Sequence, residues 1–510
     1  MKTYLGIEFG STRIKAVQID EEYKVCSSGD FTWKSDFENG IWTYDIAQAV
    51  IGLKKALSGI ENKESIASAG VSGMMHGYLA FDKDWNLLVP FRTWQNTMTG
   101  MAADELTKLF NFNIPQRWSI AHLYQAILNR EDHVKDVAHI TTLAGYIHFL
   151  LTGVNAVGVG EASGIFPVDS ETSDYNKGMV EKFDNLIAPY NLSWKLSDVL
   201  PEVLGAGSPA GKLTKQGAEL IDNMLPIGIP FAPPEGDAGT GMVATNAISE
   251  RTGNVSAGTS IFSMVVLEKP LSAVYPEIDI VTTPEGKDVA MVHCNNCTND
   301  SNAWMSVLDE CVNVFGVSPV TGDLYTKLYE KSLEGDDDCA GVLVCNYMAG
   351  EGVTHMDAGV PLVMRNPDSR FTLANFLRAT LYSAISTLKI GMEILENENV
   401  KIDSLVGHGG FFKTKNVGQR YLASACNTPV TCMENAGEGG PYGMAILASY
   451  LFCENETLGE YLENHVFVNV KKTVANPEKN IKDGFERYMK NYKKMICVEE
   501  KAVGCFKEEE

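Results

Sequence analysis

The sequence predicts an α/β fold made of two related domains. A motif occurs twice, at residues 4–20 and 254–267, in which a strand, a Gly-hydroxyl-hydroxyl turn and a second strand follow one another. The chain has 510 residues, which is too long for a single hydrophobic core. We therefore expect an N-terminal domain over residues 1–245 and a C-terminal domain over residues 246–510.

The two turns, Gly10-Ser11-Thr12 and Gly258-Thr259-Ser260, are suited to hold a phosphate. Glycine can take a positive φ that other residues avoid. The turn then presents backbone N–H groups and hydroxyls to whatever lies above it. Two copies, half a chain apart, indicate two related domains whose turns face one nucleotide.

The first part of the chain alternates strands with one clear helix. Ile46, Val50, Leu53 and Leu57 recur at spacings of three or four and predict a helix over residues 44–57. Strands are predicted at residues 5–9, 14–19, 26–33, 68–72 and 79–82. A three-strand meander followed by a helix and a strand resembles the shared core of the actin, hexokinase and Hsp70 folds. We expect two actin-like (RNase H-like) ATPase domains around a central cleft.

Further elements follow from the same patterns. Residues 98–153 are predicted to be mostly helical, and residues 201–234, which are richer in Pro and Gly, to be irregular. Apolar periodicity predicts a long helix at residues 371–396. The remaining predicted elements are helices at 417–425, 438–450 and 476–494 and strands at 402–406 and 429–433.

Charge and composition narrow the classes of function. The formal net charge of -23 argues against nucleic acid or an anionic membrane surface as the main partner, although a metal ion could carry a nucleotide's charge locally. The sequence starts without a signal-peptide pattern. No apolar run approaches the roughly 20 residues that span a bilayer. The 11 cysteines are scattered and odd in number, so we expect a cytoplasmic protein with reduced thiols.

Two carboxylates stand out from their surroundings. Asp237 lies in a Gly-rich bend shortly before the second turn, where it could accept a proton from a substrate hydroxyl and help hold a metal ion. An isolated Gly-Asp is usually a polar turn. Glu8 lies inside an apolar strand, where a carboxylate is costly unless it is paired or bound to a cation such as Mg²⁺. Alternatively, Glu8 stands at the end of the strand and its side chain points to solvent.

Two Gly-rich runs occur in the second half of the chain. Gly407-His408-Gly409-Gly410 follows a predicted strand, and glycines there let a backbone pass close to an adenosine. Glu438-Gly439-Gly440 stands at the start of a later helix. Each run alone is also compatible with a plain turn.

Taken in order, these and neighbouring blocks resemble the FGGY carbohydrate kinase family over nearly the whole chain. The blocks are Gly6-Ile7-Glu8-Phe9-Gly10-Ser11-Thr12, Ser72-Gly73-Met74-Met75-His76-Gly77, Gly160-Glu161-Ala162-Ser163-Gly164, Gly236-Asp237-Ala238, Ala257-Gly258-Thr259-Ser260, Tyr347-Met348-Ala349-Gly350-Glu351, Gly409-Gly410, Pro429-Val430 and the segment from Glu438 to Ala448. The resemblance implies a kinase that transfers a phosphoryl group from ATP, with Mg²⁺, to a sugar bound in the first domain. The block that ends in Met75-His76-Gly77 is most similar to xylulokinase-like members.

The same resemblance implies roles for individual residues. Asp237 matches the general base and, with Glu8, the metal position. Met75, His76, Trp94 and Asp237 match the sugar side. The residues that match nucleotide contacts are Gly10, Ser11, Thr12 and Arg13 in the first turn, Gly258 and Thr259 in the second, and Gly409 and Gly410 near the adenosine.

Two single positions and one pair of residues depart from the family pattern. Glu8 and Glu161 stand where the family usually has Asp, and Gln95 and Asn96 follow Trp94 where Asp and Arg are common. The phosphoryl-transfer residues match the family, whereas the sugar side differs from it. The expected substrate is a ketopentose such as xylulose. The alternatives are another ketose or a polyol, such as ribulose or a deoxyhexulose, or a non-catalytic, sugar-sensing ATPase of the actin superfamily.

Cys294-Asn295-Asn296-Cys297 contains a C-x-x-C pair, which can bind zinc or act in redox chemistry. No second pair stands at zinc spacing, so buried small thiols are the favoured interpretation. Neither nucleic acid nor a membrane is expected as a partner. The oligomeric state stays open, with a homodimer among the options.

Overall fold

The computed structural model of the chain describes residues 2–316, 321–434 and 439–506. The chain forms two compact units that are not contiguous in sequence. Unit 1 comprises Met1–Ser249, Ala273–Val289 and Glu438–Asn469, and unit 2 comprises Glu250–Ser272, Ala290–Gly437 and Val470–Glu510. The predicted division between residues 245 and 246 did not anticipate the two later segments of unit 1. The binding roles assigned to the two sequence ranges remain predictions.

The elements alternate along the whole chain. In chain order the strands are β1 (Thr3–Phe9), β2 (Arg13–Asp20), β3 (Val25–Thr32), β4 (Asp36–Glu38), β5 (Ile41–Thr43), β6 (Ile66–Gly73), β7 (Leu79–Phe81), β8 (His139–Thr141), β9 (Ala156–Gly158), β10 (Val168–Asp169), β11 (Asp174–Tyr175), β12 (Glu202–Leu204), β13 (Glu235–Gly236), β14 (Thr252–Ala257), β15 (Ile261–Val266), β16 (Asp279–Thr282), β17 (Asp288–Cys294), β18 (Val342–Cys345), β19 (Leu362–Arg365), β20 (Ser404–His408), β21 (Val430–Met433) and β22 (Lys472–Ala475). The α-helices are α1 (Ile46–Ser58), α2 (Gly100–Phe110), α3 (Ser119–Leu128), α4 (Leu143–Thr152), α5 (Val159–Ala162), α6 (Lys177–Ile187), α7 (Leu196–Val199), α8 (Lys215–Leu220), α9 (Asp237–Ala244), α10 (Asn299–Val314), α11 (Thr321–Ser332), α12 (Leu373–Asn397), α13 (Gly418–Cys426), α14 (Gly439–Tyr450), α15 (Leu458–Tyr461) and α16 (Lys479–Phe506).

Unit 1 is built on a five-stranded sheet in the order β13-β6-β1-β2-β3. β1 pairs antiparallel with β2 and parallel with β6. Side chains alternate between the two faces of a strand, so Leu5, Ile7 and Phe9 share one face of β1. All three are fully buried and belong to one apolar core with Leu53 and Leu57 of α1. This face of the sheet therefore packs with α1 in one hydrophobic core.

The opposite face of the sheet is covered by α14, and two glycines make this possible. Gly6 of β1 and Gly70 of β6 lie side by side in register. A Cβ on Gly6 would overlap the backbone of α14 at Pro441, and one on Gly70 would overlap the Met444 side chain. Glycine is required here because the helix approaches the strands so closely. This contact explains why Glu438–Asn469 belongs to unit 1.

The sheet of unit 2 runs in the order β17-β15-β14-β20-β21-β22. β14 pairs antiparallel with β15 through the second Gly-Thr-Ser turn and parallel with β20. The long helix α12 is buried along most of its length and packs against β15 and β18. It begins where Thr372 accepts a hydrogen bond from the Asn375 N–H, as expected of an N-cap residue.

Most predicted elements are present with ends shifted by one to a few residues. α16 continues to Phe506, well beyond the predicted end at residue 494. The hairpin of β4 and β5 was not predicted, because each strand has only three residues. Glu438, predicted to open α14, lies outside the described residues. None of the helices that the structure describes is both long and apolar enough to cross a membrane.

Candidate active site

Strand register places five polar residues in one row across the sheet of unit 1. Glu8 of β1 lies between Ser72 of β6 and Lys15 of β2. Glu235 of β13 pairs with Ser72 at one end, and Asp30 of β3 pairs with Lys15 at the other. Residues in register project from the same face of a sheet. Three of the five residues, Glu235, Glu8 and Asp30, are carboxylic acids, so this row concentrates ionisable groups on one face of the sheet.

Glu8 lies on the face covered by α14, close to the start of that helix. A Cβ on Gly440 would overlap the Glu8 carboxylate oxygen, so the second glycine of the Glu438-Gly439-Gly440 block leaves room for this side chain. Burial and the nearby charge of Asp237 raise the pKa of Glu8 to about 8, while Lys15 opposes the shift. Glu8 and Asp237 therefore repel each other when both are ionised.

Asp237 is the first residue of α9 and follows β13 directly. Its Oδ1 accepts a hydrogen bond from the Met75 N–H at 3.2 Å. The residue is exposed, and desolvation by the neighbouring protein still acts on its carboxyl. This desolvation raises the pKa of Asp237 to about 6, although backbone N–H groups that include Met75 and Ala238 oppose the shift. The carboxylate is thus ionised at neutral pH and accessible, as a general base must be.

Two further carboxyl groups are enclosed near Asp237. Glu161 and Glu235 are 0% and 1% exposed. Glu235 accepts a hydrogen bond from the Glu161 N–H at 2.9 Å, and a Cβ on Gly158 would overlap its carboxyl. Burial raises the pKa of Glu161 well above its ordinary value and that of Glu235 to about 8. Glu235 therefore keeps its proton at neutral pH and burial favours the neutral form of Glu161, whereas Asp237 is ionised there.

The loop that holds Met75 and His76 is locally strained. His76 and Gly77 have φ values of 70° and 87°. A positive φ outside glycine costs energy and is concentrated at functional sites. The His76 ring stacks on Trp118, with centroids 6.0 Å apart, and its Nδ1 lies 3.3 Å from the Gly164 carbonyl oxygen. The predicted residues Met75, His76 and Asp237 are therefore brought together in unit 1.

A closed polar ring of four residues stands beside this loop. Tyr78 and Arg92 exchange two backbone hydrogen bonds, of 2.8 and 3.2 Å. The Arg92 guanidinium binds both carboxyl oxygens of Glu131. Glu131 lies 3.5 Å from Nδ1 of His133, whose Nε2 is 3.0 Å from the Tyr78 hydroxyl. We call these four residues the polar ring. It joins the segment that carries His76 to the segment that carries Trp94.

Trp94 is 36% exposed and lies two residues after Arg92. No hydrogen bond between described residues joins it to Asp237. Asn96, one of the departures from the family pattern, is buried and structural: Nδ2 donates to the carbonyls of Trp42 and Thr93 at 2.8 and 3.0 Å. Its amide thus ties the loop to the β4–β5 hairpin, and both of its N–H donors are used within the protein.

The first turn closes through a hydrogen bond from the Gly10 N–H to the Arg13 carbonyl, at 2.9 Å. Ser11, Thr12 and Arg13 are exposed. Arg13 lies 3.6 Å from Asp30 in an exposed ion pair, which holds the side chain only weakly. The expectation of a positive φ was wrong at both turn glycines: Gly10 and Gly258 lie outside the left-handed region. Both turns close with ordinary backbone angles.

The second turn and the Gly409 run meet in unit 2. Gly409 has φ 101°, and a Cβ there would overlap the carbonyl of Ala257, the residue before Gly258. Here glycine is required by both its dihedral angle and the close approach. Gly409, Gly410 and Thr259 are exposed. The structure therefore groups these three of the four predicted nucleotide contacts of this unit on one accessible surface, next to the half-buried Gly258.

The C-x-x-C segment supports the second turn from behind. The Cys297 N–H donates to the Thr259 carbonyl at 3.0 Å. Asn296 accepts hydrogen bonds from the N–H groups of Met348 and Ala349, at 2.8 and 3.0 Å. Cys294 and Cys297 are buried, form no disulfide, and have thiol pKa values raised by burial. The interpretation as buried thiols agrees with this geometry.

Glu8 and Asp237 fit a divalent cation of the Mg²⁺ kind. Their mutual repulsion, visible in the raised pKa of Glu8, would be relieved by a cation between them. Mg²⁺ prefers carboxylate oxygens and keeps several waters. Within the described ranges, no group of three or more His, Cys, Asp or Glu could hold a metal alone. Water and phosphate oxygens would therefore complete the coordination.

Sequence reasoning missed several members of the site. Lys15 and Glu235 belong to the polar row, and Arg92, Glu131 and His133 form the polar ring. Glu235 had a detectable signal, because it stands two residues before Asp237 and so on the same face of an extended segment. The polar ring had none, since its members are widely separated in sequence.

Comparisons with known proteins identify the family of the chain. The family model for the N-terminal domain of the FGGY family of carbohydrate kinases matches residues 3–243, and that for the C-terminal domain matches residues 253–452. A curated xylulose kinase of Haemophilus influenzae is 23% identical and aligns with 95% of this chain and 98% of the relative. The xylulose kinase of Bacillus subtilis is 20% identical, with 91% of each chain covered.

Solved structures agree in fold. A ligand-bound xylulose kinase from Lactobacillus acidophilus superposes with a TM-score of 0.81 at 15% identity and covers 98% of each chain. A gluconate kinase from the same organism reaches 0.81 at 15% identity and 99% coverage of each chain. Plasmodium falciparum glycerol kinase with ADP reaches 0.77 at 15% identity, covering 97% of this chain and 98% of its own. The predicted fold of two actin-like α/β domains is confirmed.

Proposed function

Because this chain belongs to the FGGY family of carbohydrate kinases, and is thus an enzyme that phosphorylates a sugar from ATP, we propose that its acceptor is a ketopentose such as xylulose. One observation carries the assignment of the reacting site: Asp237 is anchored at 3.2 Å to the backbone of Met75, in the strained loop that also holds His76. The base and the expected sugar-binding residues thereby form one rigid group.

Asp237 acts as the general base. Phosphoryl transfer requires alignment, charge neutralisation and a group that accepts the proton of the attacking hydroxyl. The sugar oxygen attacks the γ-phosphorus, its proton passes to the Asp237 carboxylate, and ADP leaves. With a pKa of about 6, Asp237 is ionised at neutral pH and is a stronger base than an ordinary aspartate. Glu161 and Glu235 are enclosed and their pKa values are raised by burial, so they do not compete for that proton.

Met75, His76 and Trp94 form the sugar side in this proposal. The His76 imidazole is held by Trp118 and Gly164, so its ring is presented in one orientation. Trp94 has an exposed ring that can cover an apolar sugar face. The polar ring keeps these two residues at a constant separation. The curated relatives named xylulose kinase support the choice of a ketopentose.

ATP phosphates are assigned to the two turns. In unit 1 the donors are the N–H groups and hydroxyls of Ser11 and Thr12 and the side chain of Arg13, while Gly10 closes the turn with its own N–H. In unit 2 Gly258 likewise closes the turn through its N–H, and Thr259 offers its hydroxyl. Gly409 and Gly410 supply an open backbone surface for the adenosine. Glu8 and Asp237 would hold Mg²⁺, which neutralises phosphate charge when bound.

Replacement of Asp237 tests the assignment of the base. Asp237→Asn keeps the shape of the side chain and removes the proton acceptor, so kcat should fall by about 10²–10⁴. Asp222→Asn, which changes an exposed carboxylate paired with Lys54, serves as the matched control. Sugar-dependent ADP release is measured with xylulose, ribulose, a deoxyhexulose and polyols. Wild-type turnover by Asp237→Asn would exclude Asp237 as the base, and preference for a hexulose or polyol would exclude the ketopentose.

A further inference from the structure

We propose that Trp33 and Tyr44 in unit 1, and Thr298 in unit 2, are positioning residues that orient the two phosphate turns by binding their carbonyl oxygens. This inference rests on the proposed function, because it takes both turns to contact ATP phosphates. None of the three residues belongs to the turns themselves. Each acts on the turn from the side away from its exposed hydroxyls.

All three carbonyls of the first turn are bound by two neighbouring aromatic residues. The Trp33 indole N–H donates to the Gly10 carbonyl at 2.7 Å, and the Tyr44 hydroxyl donates to the Ser11 carbonyl at 2.7 Å. The Trp33 backbone N–H donates to the Thr12 carbonyl at 3.1 Å. We call this pair of residues the aromatic clamp.

The aromatic clamp is itself rigid. The rings of Trp33 and Tyr44 lie 4.4 Å apart, and Phe9 meets Trp33 edge-on at 6.3 Å. Trp33 and Tyr44 are 7% and 2% exposed. Phe9 ends β1, the strand that also carries Glu8, so the clamp links the turn to the row of polar residues. A buried pair of rings in contact holds its donors at constant positions.

Binding the carbonyls determines which groups of the turn face outward. A carbonyl oxygen next to a phosphate would repel it, whereas an N–H group attracts it. With the carbonyls of Gly10, Ser11 and Thr12 held by the clamp, the peptide planes direct the N–H groups of the turn the opposite way. Within the described chain, no acceptor binds the N–H groups of Ser11 and Thr12. These donors are thus available to an anion.

The second turn uses the same arrangement with different residues. Thr298 donates twice to the Gly258 carbonyl, from its hydroxyl at 2.7 Å and from its N–H at 3.1 Å. The neighbouring Cys297 N–H binds the Thr259 carbonyl at 3.0 Å. Thr298 is 6% exposed and begins the segment that leads into α10. Two unrelated sets of donors thus act on equivalent carbonyls.

Side-chain replacements that each remove one hydrogen-bond donor test the inference. Tyr44→Phe removes only the hydroxyl, Trp33→Phe removes the indole donor, and Thr298→Val removes the hydroxyl of Thr298. Loss of one neutral hydrogen bond should raise KM for ATP, and the Kd for ADP measured by calorimetry, by roughly 2- to 10-fold. KM for the sugar should stay within about 2-fold, since the sugar-side contacts are unchanged. Rescue is tested with Thr298→Ser, which restores the hydroxyl and should restore KM for ATP.

Two controls separate the possible failures. Trp194→Phe removes a comparable bond, from the indole N–H to the Val134 carbonyl at 2.9 Å, and should lower thermal stability without a change in ADP affinity. Thr12→Ala tests the turn itself. If Thr12→Ala and the clamp variants all bind ADP like wild type, the first turn is not a phosphate site. The assignment of ATP phosphates to this turn under the proposed function is then wrong. If Thr12→Ala weakens ADP binding while Tyr44→Phe and Trp33→Phe do not, the positioning role is refuted.

Discussion

Replacement of Gly440 by alanine should damage the reaction while leaving the fold intact. Gly440 lies in the first turn of α14, and an added Cβ would overlap the Glu8 carboxylate and lie 3.0 Å from the Thr240 hydroxyl. Both obstacles are ends of side chains, which can move aside. Alanine is also favoured over glycine in a helix by about 1 kcal/mol. The free energy of unfolding should therefore change by no more than about 1 kcal/mol.

The displaced Glu8 carboxylate determines the functional effect. Glu8 would leave its position opposite Lys15 and near Asp237, where it is assigned to Mg²⁺. Changes to groups that support a metal ligand typically weaken metal binding by about 10- to 100-fold. We expect the Mg²⁺ concentration for half-maximal activity to rise by about that factor, and kcat at limiting Mg²⁺ to fall accordingly.

Gly443→Ala is the matched control in the same helix. Its added Cβ would overlap the backbone carbonyl of Thr240 in α9, which cannot rotate away. α14 and α9 would have to separate, at a cost of about 1–3 kcal/mol. Steady-state kinetics across a Mg²⁺ titration and thermal unfolding are measured for both variants. The reasoning is refuted if Gly440→Ala keeps the wild-type Mg²⁺ response, or if it loses as much stability as Gly443→Ala.

Three further outcomes are expected. Glu131→Gln weakens the polar ring and should raise KM for the sugar several-fold, with KM for ATP unchanged. An unchanged KM for the sugar would show that the polar ring does not position the loop that holds His76. Trp94→Ala should raise KM for the sugar with little loss of thermal stability, because the side chain is partly exposed, and a stability loss alone would indicate mere packing. Burial raises the pKa of Glu351 to about 7 from 4.5, so the folded protein keeps a proton that the unfolded chain releases above 4.5. The free energy of unfolding should thus fall by up to about 3 kcal/mol as pH rises from 4.5 to 7. Glu351→Gln should lack this component when both proteins are unfolded with denaturant at pH 5 and pH 8. An equal pH dependence of the two proteins would refute the role of Glu351.

Local elements could be predicted because their signals lie within one short stretch of chain. The apolar spacing of residues 44–57 predicted α1, observed as Ile46–Ser58, and that of residues 371–396 predicted α12, observed as Leu373–Asn397. Their ends were displaced by one or two residues, because capping contacts determine where a helix begins. The short strands β4 and β5 escaped prediction, since three residues are too few to show an alternating pattern.

The site was predicted only in part. The motif blocks identified Glu8, Asp237, Met75 and His76, and the structure places these residues together in unit 1. The aromatic clamp was missed, because Trp33 and Tyr44 act through backbone carbonyls of a turn more than 20 residues away in sequence. No pattern in the residue types marks such contacts.

The amino-acid sequence alone determined the family and the α/β class, because several motif blocks occur in order along the whole chain, and it predicted the residues for phosphoryl transfer. Only the tertiary structure decided how those groups are charged and oriented. Glu8 and Asp237 differ in pKa because of what surrounds each of them. The helix α14, which begins at Gly439 near the other end of the chain, shapes the space around Glu8. Desolvation and steric contact depend on distance in space, and sequence order does not record that distance.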